Sequence, residues 1–88
     1  MKINKDVIYR NIAGEHVLIP VGNQVIEHNG MFVMTELGAE IWQMLEQNME
    51  KEEMIAALLT EYEVEEAVLR SDVEEFLQKL TDGKLLEE

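Results

Sequence analysis

The sequence contains no cysteine, one serine and two histidines, and these shortages exclude several kinds of chemistry. Without cysteine the chain forms no disulfide, has no thiol nucleophile and offers no cysteine-ligated zinc site. Two histidines without a carboxylate cluster fall short of the three or four ligands of zinc. Ser71 has no histidine placed to act as its base, and the five glycines are scattered singly, so no phosphate-binding loop is present. We therefore expect no catalytic activity, no metal and no cofactor.

Basic residues are also scarce. Seven of them oppose 19 acidic residues, which gives a formal net charge of −12. Between residues 36 and 82 there are 14 acidic residues against Lys51, Arg70 and Lys79. Such a surface repels phosphate backbones, so nucleic acid is not an expected partner.

Long apolar runs are missing as well. The first ten residues lack the apolar centre of a signal peptide, and no run approaches the roughly 20 residues that span a bilayer. We expect a soluble, cytoplasmic protein without a membrane partner.

The first part of the chain favours β-structure. Two apolar segments, 7–10 and 16–19, are separated by a turn at 13–15 and predict a hairpin. A weaker third strand is predicted at 24–28. Asn29-Gly30 is the dipeptide best suited to a two-residue hairpin turn, because both central positions need positive φ, and it leads into a strand over 31–34.

The second part predicts three amphipathic helices, at about 36–47, 51–62 and 66–81, each with one apolar stripe and one charged face. Thr35 is the expected N-cap of the first helix, because its hydroxyl can accept a hydrogen bond from an unpaired amide of the first turn. Gly83 is the expected left-handed residue that ends the third helix.

These elements predict one α+β domain over residues 1–88, with a β-sheet part at 1–34, a three-helix part at 35–83 and a tail at 84–88. The tail could instead form a last short strand. A small N-terminal antiparallel sheet followed by three helices fits a winged helix-turn-helix arrangement. Trp42 is expected in the core, and Gly38, one turn earlier, permits another group to approach closely.

An ordered series of segments resembles the PqqD-like family, whose members are also called RiPP recognition elements. Residues 34–42, MTELGAEIW, match the family pattern Leu-Asn-Glu-Thr-Gly-Ala-x-Ile-Trp except at Met34, Thr35 and Leu37. Residues 55–62 and 72–86 resemble the second helix, the third helix and the ending of the family. Residues 17–22 and 29–31 match variants of its strands, so the resemblance covers nearly the whole chain.

The resemblance implies a function as a peptide-binding chaperone. Proteins of this family bind the leader segment of a ribosomally synthesised precursor peptide and present it to a modifying enzyme, often a radical SAM enzyme. The leader adds as a strand to the sheet edge and lies against the third helix. Carried onto this chain, the implied peptide-binding residues of the strand side and of the helix side are Ile26, His28, Met31, Phe32, Val33, Met34, Asp72, Val73, Glu75, Phe76 and Lys79.

The sequence is compatible with more than one open edge, oligomeric state and function. Which of the segments 24–28 and 31–34 forms the open edge is undecided. The protein could be a monomer or a weak homodimer, because an unpaired edge can also recruit a second copy. Alternative functions are a winged-helix transcriptional regulator, opposed by the acidic third helix, and an adaptor that binds another protein through the same edge. Asp72 and Glu75 would favour a basic residue on the leader.

Overall fold

The computed structural model describes residues 1–21 and 32–87 of the chain. The predicted α+β class, with a small antiparallel sheet followed by three helices, is confirmed. In chain order the elements are β1 (Lys2–Ile3), β2 (Val7–Ile12), β3 (Glu15–Pro20), β4 (Phe32–Met34), α1 (Glu36–Glu46), α2 (Lys51–Glu61), α3 (Glu66–Asp82) and β5 (Leu86–Glu87).

The main sheet has three antiparallel strands in the order β2-β3-β4. The turn between β2 and β3 consists of Ala13 and Gly14, with φ of 53° and 87°. Positive φ at both central residues gives the turn the twist that paired strands need. Ile12 therefore pairs with Glu15, so the predicted hairpin is confirmed with a loop of two residues.

A second, two-stranded sheet pairs β1 with β5, with Ile3 opposite Leu86. Of the two alternatives for the end of the chain, the short strand is the one found. The strand β1 was not predicted, because Lys2–Ile3 is too short to show an alternating pattern. It exists through pairing with residues at the far end of the sequence, which local propensity does not report.

The ends of α1 follow the local chemistry of the sequence. The Thr35 hydroxyl accepts a hydrogen bond from the Gly38 amide at 3.1 Å, which confirms the predicted N-cap. At the other end Asn48 has φ of 61°, and the Met49 amide donates to the Met44 carbonyl at 3.1 Å. This is a Schellman ending, in which a left-handed residue lets the last carbonyls find donors.

The predicted left-handed residue of α3 was wrong by one position. Gly83 has φ of −84°, and Lys84, with φ of 63°, is the left-handed residue. The amide of Leu85 donates to the Leu80 carbonyl at 2.8 Å, and the amide of Lys84 donates to Thr81 at 3.0 Å. The reversal falls one residue later because it places Leu85 against Leu80 in the core, the apolar contact that accompanies a Schellman motif.

One hydrophobic core joins the inner face of the main sheet to all three helices and β5. Trp42, Ile41, Met54, Leu58 and Leu80 are fully buried there, so the expected core position of Trp42 is confirmed. Its members are Val7, Leu18, Met34, Ala39, Ile41, Trp42, Leu45, Met54, Ile55, Leu58, Leu69, Val73, Leu77, Leu80, Leu85 and Leu86. This core holds β4 and α3 next to the start of α1, where Met34 and Phe76 both lie close to Gly38.

The predicted strand at 24–28 and the predicted turn at Asn29-Gly30 lie outside the described residues. Residue 31, the expected first residue of the last strand, lies there too.

Candidate functional site

The strand β4 occupies an outer position in the three-stranded sheet. Met34, Val33 and Phe32 pair with His16, Val17 and Leu18 of β3 along one side of β4. Within residues 1–21 and 32–87 no strand pairs with the other side. An outer strand with a free side has unpaired amides and carbonyls, which can pair with an added chain.

A groove of about 400 Å³ runs between β4, the start of α1 and α3. We call it the leader groove, after the peptide segment that the family resemblance implies as its ligand. Its lining residues are Phe32, Val33, Met34, Thr35, Leu37, Gly38, Ile41, Asp72, Glu75, Phe76 and Lys79. Pockets of roughly 300–1,000 Å³ with mostly apolar linings and a few polar groups are typical binding sites.

The α3 side of the leader groove follows from helical spacing. Asp72, Glu75, Phe76 and Lys79 recur at intervals of three and four residues, so their side chains project from one face of α3. Phe76 is half-buried, and the other three are exposed. This face therefore combines one aromatic ring with three charged groups.

Two phenylalanines meet across the leader groove. The rings of Phe32 and Phe76 pack edge to face, with their centroids 6.3 Å apart and an interplanar angle of 63°. This is a preferred aromatic geometry, and such pairs contribute about 0.5–1.5 kcal/mol beyond the burial of their area. The pair links the outer strand directly to α3.

Gly38 allows Phe76 to lie against α1. A Cβ atom at position 38 would lie 3.0 Å from Cε1 of Phe76 and 3.2 Å from Cβ of Met34. Both distances are shorter than ordinary carbon contacts, which lie near 3.5–4.0 Å. The close approach expected at Gly38 is therefore made by the Phe76 ring.

The structure brings most of the predicted peptide-binding residues together. Seven of the 11 line the leader groove, namely Phe32, Val33, Met34, Asp72, Glu75, Phe76 and Lys79. Val33 is the most exposed of the β4 side chains, at 59%. Met34 is largely buried, at 6%, and contributes to the core as well as to the groove.

The prediction for Val73 was wrong. Its side chain is fully buried and packs in the core with Leu69, Leu77 and Leu80. Val73 stands four residues from both Leu69 and Leu77, so its side chain belongs to the apolar stripe of α3 that faces the core. Ile26, His28 and Met31 lie outside the described residues.

Four lining residues come from the start of α1 and were not predicted as site residues: Thr35, Leu37, Gly38 and Ile41. Their spacing marked them only as cap and core positions. The one available signal was the glycine inside a helical pattern, which indicates a close approach without identifying the approaching residue.

The three cations between residues 36 and 82 all take part in ion pairs. Arg70 makes a two-pronged contact with Glu52, at 2.6 and 2.9 Å, and Lys51 lies 2.9 Å from Glu74. Nζ of Lys79 lies 3.5 Å from Oε1 of Glu75. Hydrogen bonds from Arg70 lower the pKa of Glu52. A carboxylate beside each cation offsets its charge, which argues further against a DNA-reading role for α3.

A second group of titratable residues lies outside the leader groove, where α1 meets the end of α2. Burial, followed by the nearby Glu61, raises the pKa of Glu40. Burial and the charge of Glu40 raise the pKa of Tyr62 to about 12. The Oε2 atom of Glu40 is buried without a hydrogen-bond partner in the described part of the chain. Burial and the neighbouring Glu61 therefore make the charged form of Glu40 unfavourable in the folded protein.

Two negative findings concern residues 1–21 and 32–87. These residues contain no group of three histidine, aspartate or glutamate side chains arranged to hold a metal ion. None of their helices has the length and apolar character needed to cross a bilayer.

Fold and groove together define a small winged-helix-like domain with an outer strand and a third helix on either side of an open groove. Residues 15–86 match the sequence model of the family described as Coenzyme PQQ synthesis protein D (PqqD). The chain belongs to the PqqD family, as the resemblance of its motifs predicted.

The fold also matches a solved structure of TbiB1 in complex with the TbiA(beta) leader peptide. The TM-score is 0.81 and the sequence identity 32%, over 99% of this chain and 95% of that chain. No curated protein matches the sequence significantly.

Proposed function

We propose that this protein binds the leader segment of a ribosomally synthesised precursor peptide and presents it to a modifying enzyme. The observation that carries the proposal is the side of β4 that no strand of residues 1–21 and 32–87 pairs with, next to the leader groove. An extended peptide can pair its backbone with such an edge while alternate side chains enter the groove. Membership of the PqqD family and the similarity to TbiB1, which was solved with a leader peptide, support this use.

Backbone pairing alone would supply only part of the affinity. The strand β4 has three residues, so an added strand gains about two to four backbone hydrogen bonds of roughly 0.5–1.5 kcal/mol each. Ordering a disordered leader costs about 2–5 kcal/mol. Apolar side chains that bury against Phe32, Phe76 and Leu37 must therefore provide the remainder.

In this proposal the protein is a non-catalytic chaperone, and the family resemblance favours a radical SAM enzyme as the modifying partner. Its contribution to the reaction is positional. By holding the leader, it raises the effective concentration of the attached core peptide near an enzyme that binds the same complex.

An amide-shift titration tests the proposal. The ¹⁵N-labelled protein is titrated with a synthetic leader taken from a precursor reading frame beside its gene. We expect the largest shifts in β4 and along the 72–79 face of α3. Shifts confined to α2 would contradict the proposal.

A matched pair of variants strengthens this test. Phe76→Ala removes the aromatic side of the groove and should weaken leader binding about tenfold or more, which corresponds to about 1.4 kcal/mol or more. Val68→Ala is the control, since Val68 is 52% exposed on the same helix and does not line the groove. Equal losses in the two variants would show that the groove is not the binding site.

A further inference from the structure

The α3 side of the leader groove carries one carboxylate that has no partner among residues 1–21 and 32–87. Glu75 and Lys79 are paired with each other at 3.5 Å. Asp72 lines the same groove and is exposed, and it has no ion pair or hydrogen bond with any described residue. A ligand in the groove therefore meets an uncompensated negative charge at one position.

The distance between Asp72 and Phe76 matches the repeat of an extended peptide. Four residues of helix separate them, which corresponds to a rise of about 6 Å along α3. Residues i and i+2 of a β-strand lie on one face and are about 6.6 Å apart. A peptide that runs along α3 can thus place one side chain at the Phe76 ring and the next side chain of the same face at Asp72.

The two positions demand different chemistry. Next to Phe76 the groove is apolar, with Phe32 and Leu37 nearby. At Asp72 a cation is favoured. The surrounding charge is negative as well, because 14 acidic residues oppose three paired cations between residues 36 and 82. The local carboxylate determines the position of the cation, whereas the overall field mainly raises the association rate.

We infer that the leader groove selects a peptide in which an apolar or aromatic residue and a lysine or arginine are two positions apart. The apolar side chain packs against Phe32 and Phe76, and the cation pairs with Asp72. The inference rests on the proposed function and adds a sequence requirement for the ligand. The direction of the bound peptide decides which of the two residues comes first.

A displayed library of random 12-residue peptides tests the inference with the full chain as bait. We expect the selected peptides to contain an apolar residue and a lysine or arginine at a spacing of two. Selection on Asp72→Asn should lose the basic residue but keep the apolar one, and selection on Asp72→Lys should replace the basic residue by an acidic one. Glu63→Gln is the matched control, because it removes the same charge from the exposed α2–α3 turn and should leave the preference intact.

Affinities of one selected peptide complete the test. Replacing its basic residue by glutamine should weaken binding to the original protein about two- to fivefold, the size expected for an exposed ion pair. The same replacement should have no effect with Asp72→Asn. The fluorescence of Trp42, the only tryptophan and fully buried, verifies that each variant is folded.

The two proposals fail in different ways. The inference alone would be overturned by selected peptides that shift the amides of β4 and Phe76 but show no preference for a basic residue. It would also be overturned if Asp72→Asn and Glu63→Gln selected peptides with the same basic preference. A library that yields no peptide able to shift these amides would overturn the inference together with the proposed function.

Discussion

The contact between Gly38 and Phe76 leads to a prediction that depends on two residues at once. Gly38→Ala places a methyl group 3.0 Å from Cε1 and 3.2 Å from Cζ of Phe76. The ring must shift, and both Phe32 and the leader groove lie next to it. The substitution therefore tests whether the ring position is determined by the absence of a side chain at position 38.

Two opposing effects set the magnitude. Alanine is favoured over glycine inside a helix by about 0.8–1.0 kcal/mol. Forcing an extra methyl group into a packed contact costs typically about 1–3 kcal/mol. We expect Gly38→Ala to lower the free energy of unfolding by about 1 kcal/mol.

The same substitution should behave differently when the ring is absent. Leucine at position 76 has no atoms equivalent to Cε1 and Cζ, so only the 3.2 Å contact with Cβ of Met34 remains. In a Phe76→Leu background the helix propensity should offset the remaining strain, and Gly38→Ala should be neutral or slightly stabilising. The coupling between the two positions is then about 1 kcal/mol, within the range for residues in contact.

Urea denaturation of the original protein, the two single variants and the double variant, followed by the fluorescence of Trp42, measures this coupling. Gly83→Ala is the control, because φ is −84° there and a Cβ atom would lie 3.4 Å from the Lys79 carbonyl and 3.8 Å from Leu85, which are ordinary contacts. We expect that control to change stability by less than about 0.5 kcal/mol. If Gly38→Ala changed stability equally with phenylalanine and with leucine at position 76, the steric argument would be wrong.

Three further predictions concern stability. Burial first, and Glu61 next, raise the pKa of Glu40 above its usual 4.5. The protonated Glu40 carboxyl therefore contributes to the free energy of unfolding at low pH, and this contribution is lost as the pH rises through the raised pKa. From about pH 4.5 to 7 the original protein should therefore lose stability relative to Glu40→Gln, and denaturation midpoints that keep a constant difference over this range would refute the assignment. Thr35→Ala removes the 3.1 Å hydrogen bond to the Gly38 amide and should cost about 1 kcal/mol, whereas Thr35→Ser should retain most of the stability in the same urea assay. Lys84→Gly relieves a positive φ of 63° and should stabilise the protein by about 0.5–1 kcal/mol. The thermal midpoint should rise, and a lower midpoint would show that the lysine side chain contributes more than the backbone strain costs.

Much of the fold could be predicted because its signals are local. Helical spacing of apolar residues placed α1, α2 and α3 within one residue of their observed ends. The Thr35 cap was predictable because the hydroxyl, the amide and the turn lie within four residues. The left-handed residue after α3 was misplaced because two positions, Gly83 and Lys84, can end the helix, and packing of Leu85 selects the second.

The candidate site was predictable only in part. On the α3 side the structure places Asp72, Glu75, Phe76 and Lys79 in the groove, since their helical spacing puts them on one face, and their contact with a peptide stays a prediction. Val73 was misassigned because the resemblance transfers a segment, whereas the rotation of the helix decides which residues of that segment face the core.

The sequence by itself determined the helices, the Thr35 cap of α1, the acidic surface and, through an ordered set of motifs, the family. Each of these depends on residues within one or two turns of one another or on a simple sum of charges. The tertiary structure alone decided that Gly38 receives the Phe76 ring, that Arg70 is held by Glu52, and that β4 lies at the outer side of the described sheet. These are contacts between residues far apart in the chain, and such contacts form only when the common core fixes the relative positions of sheet and helices.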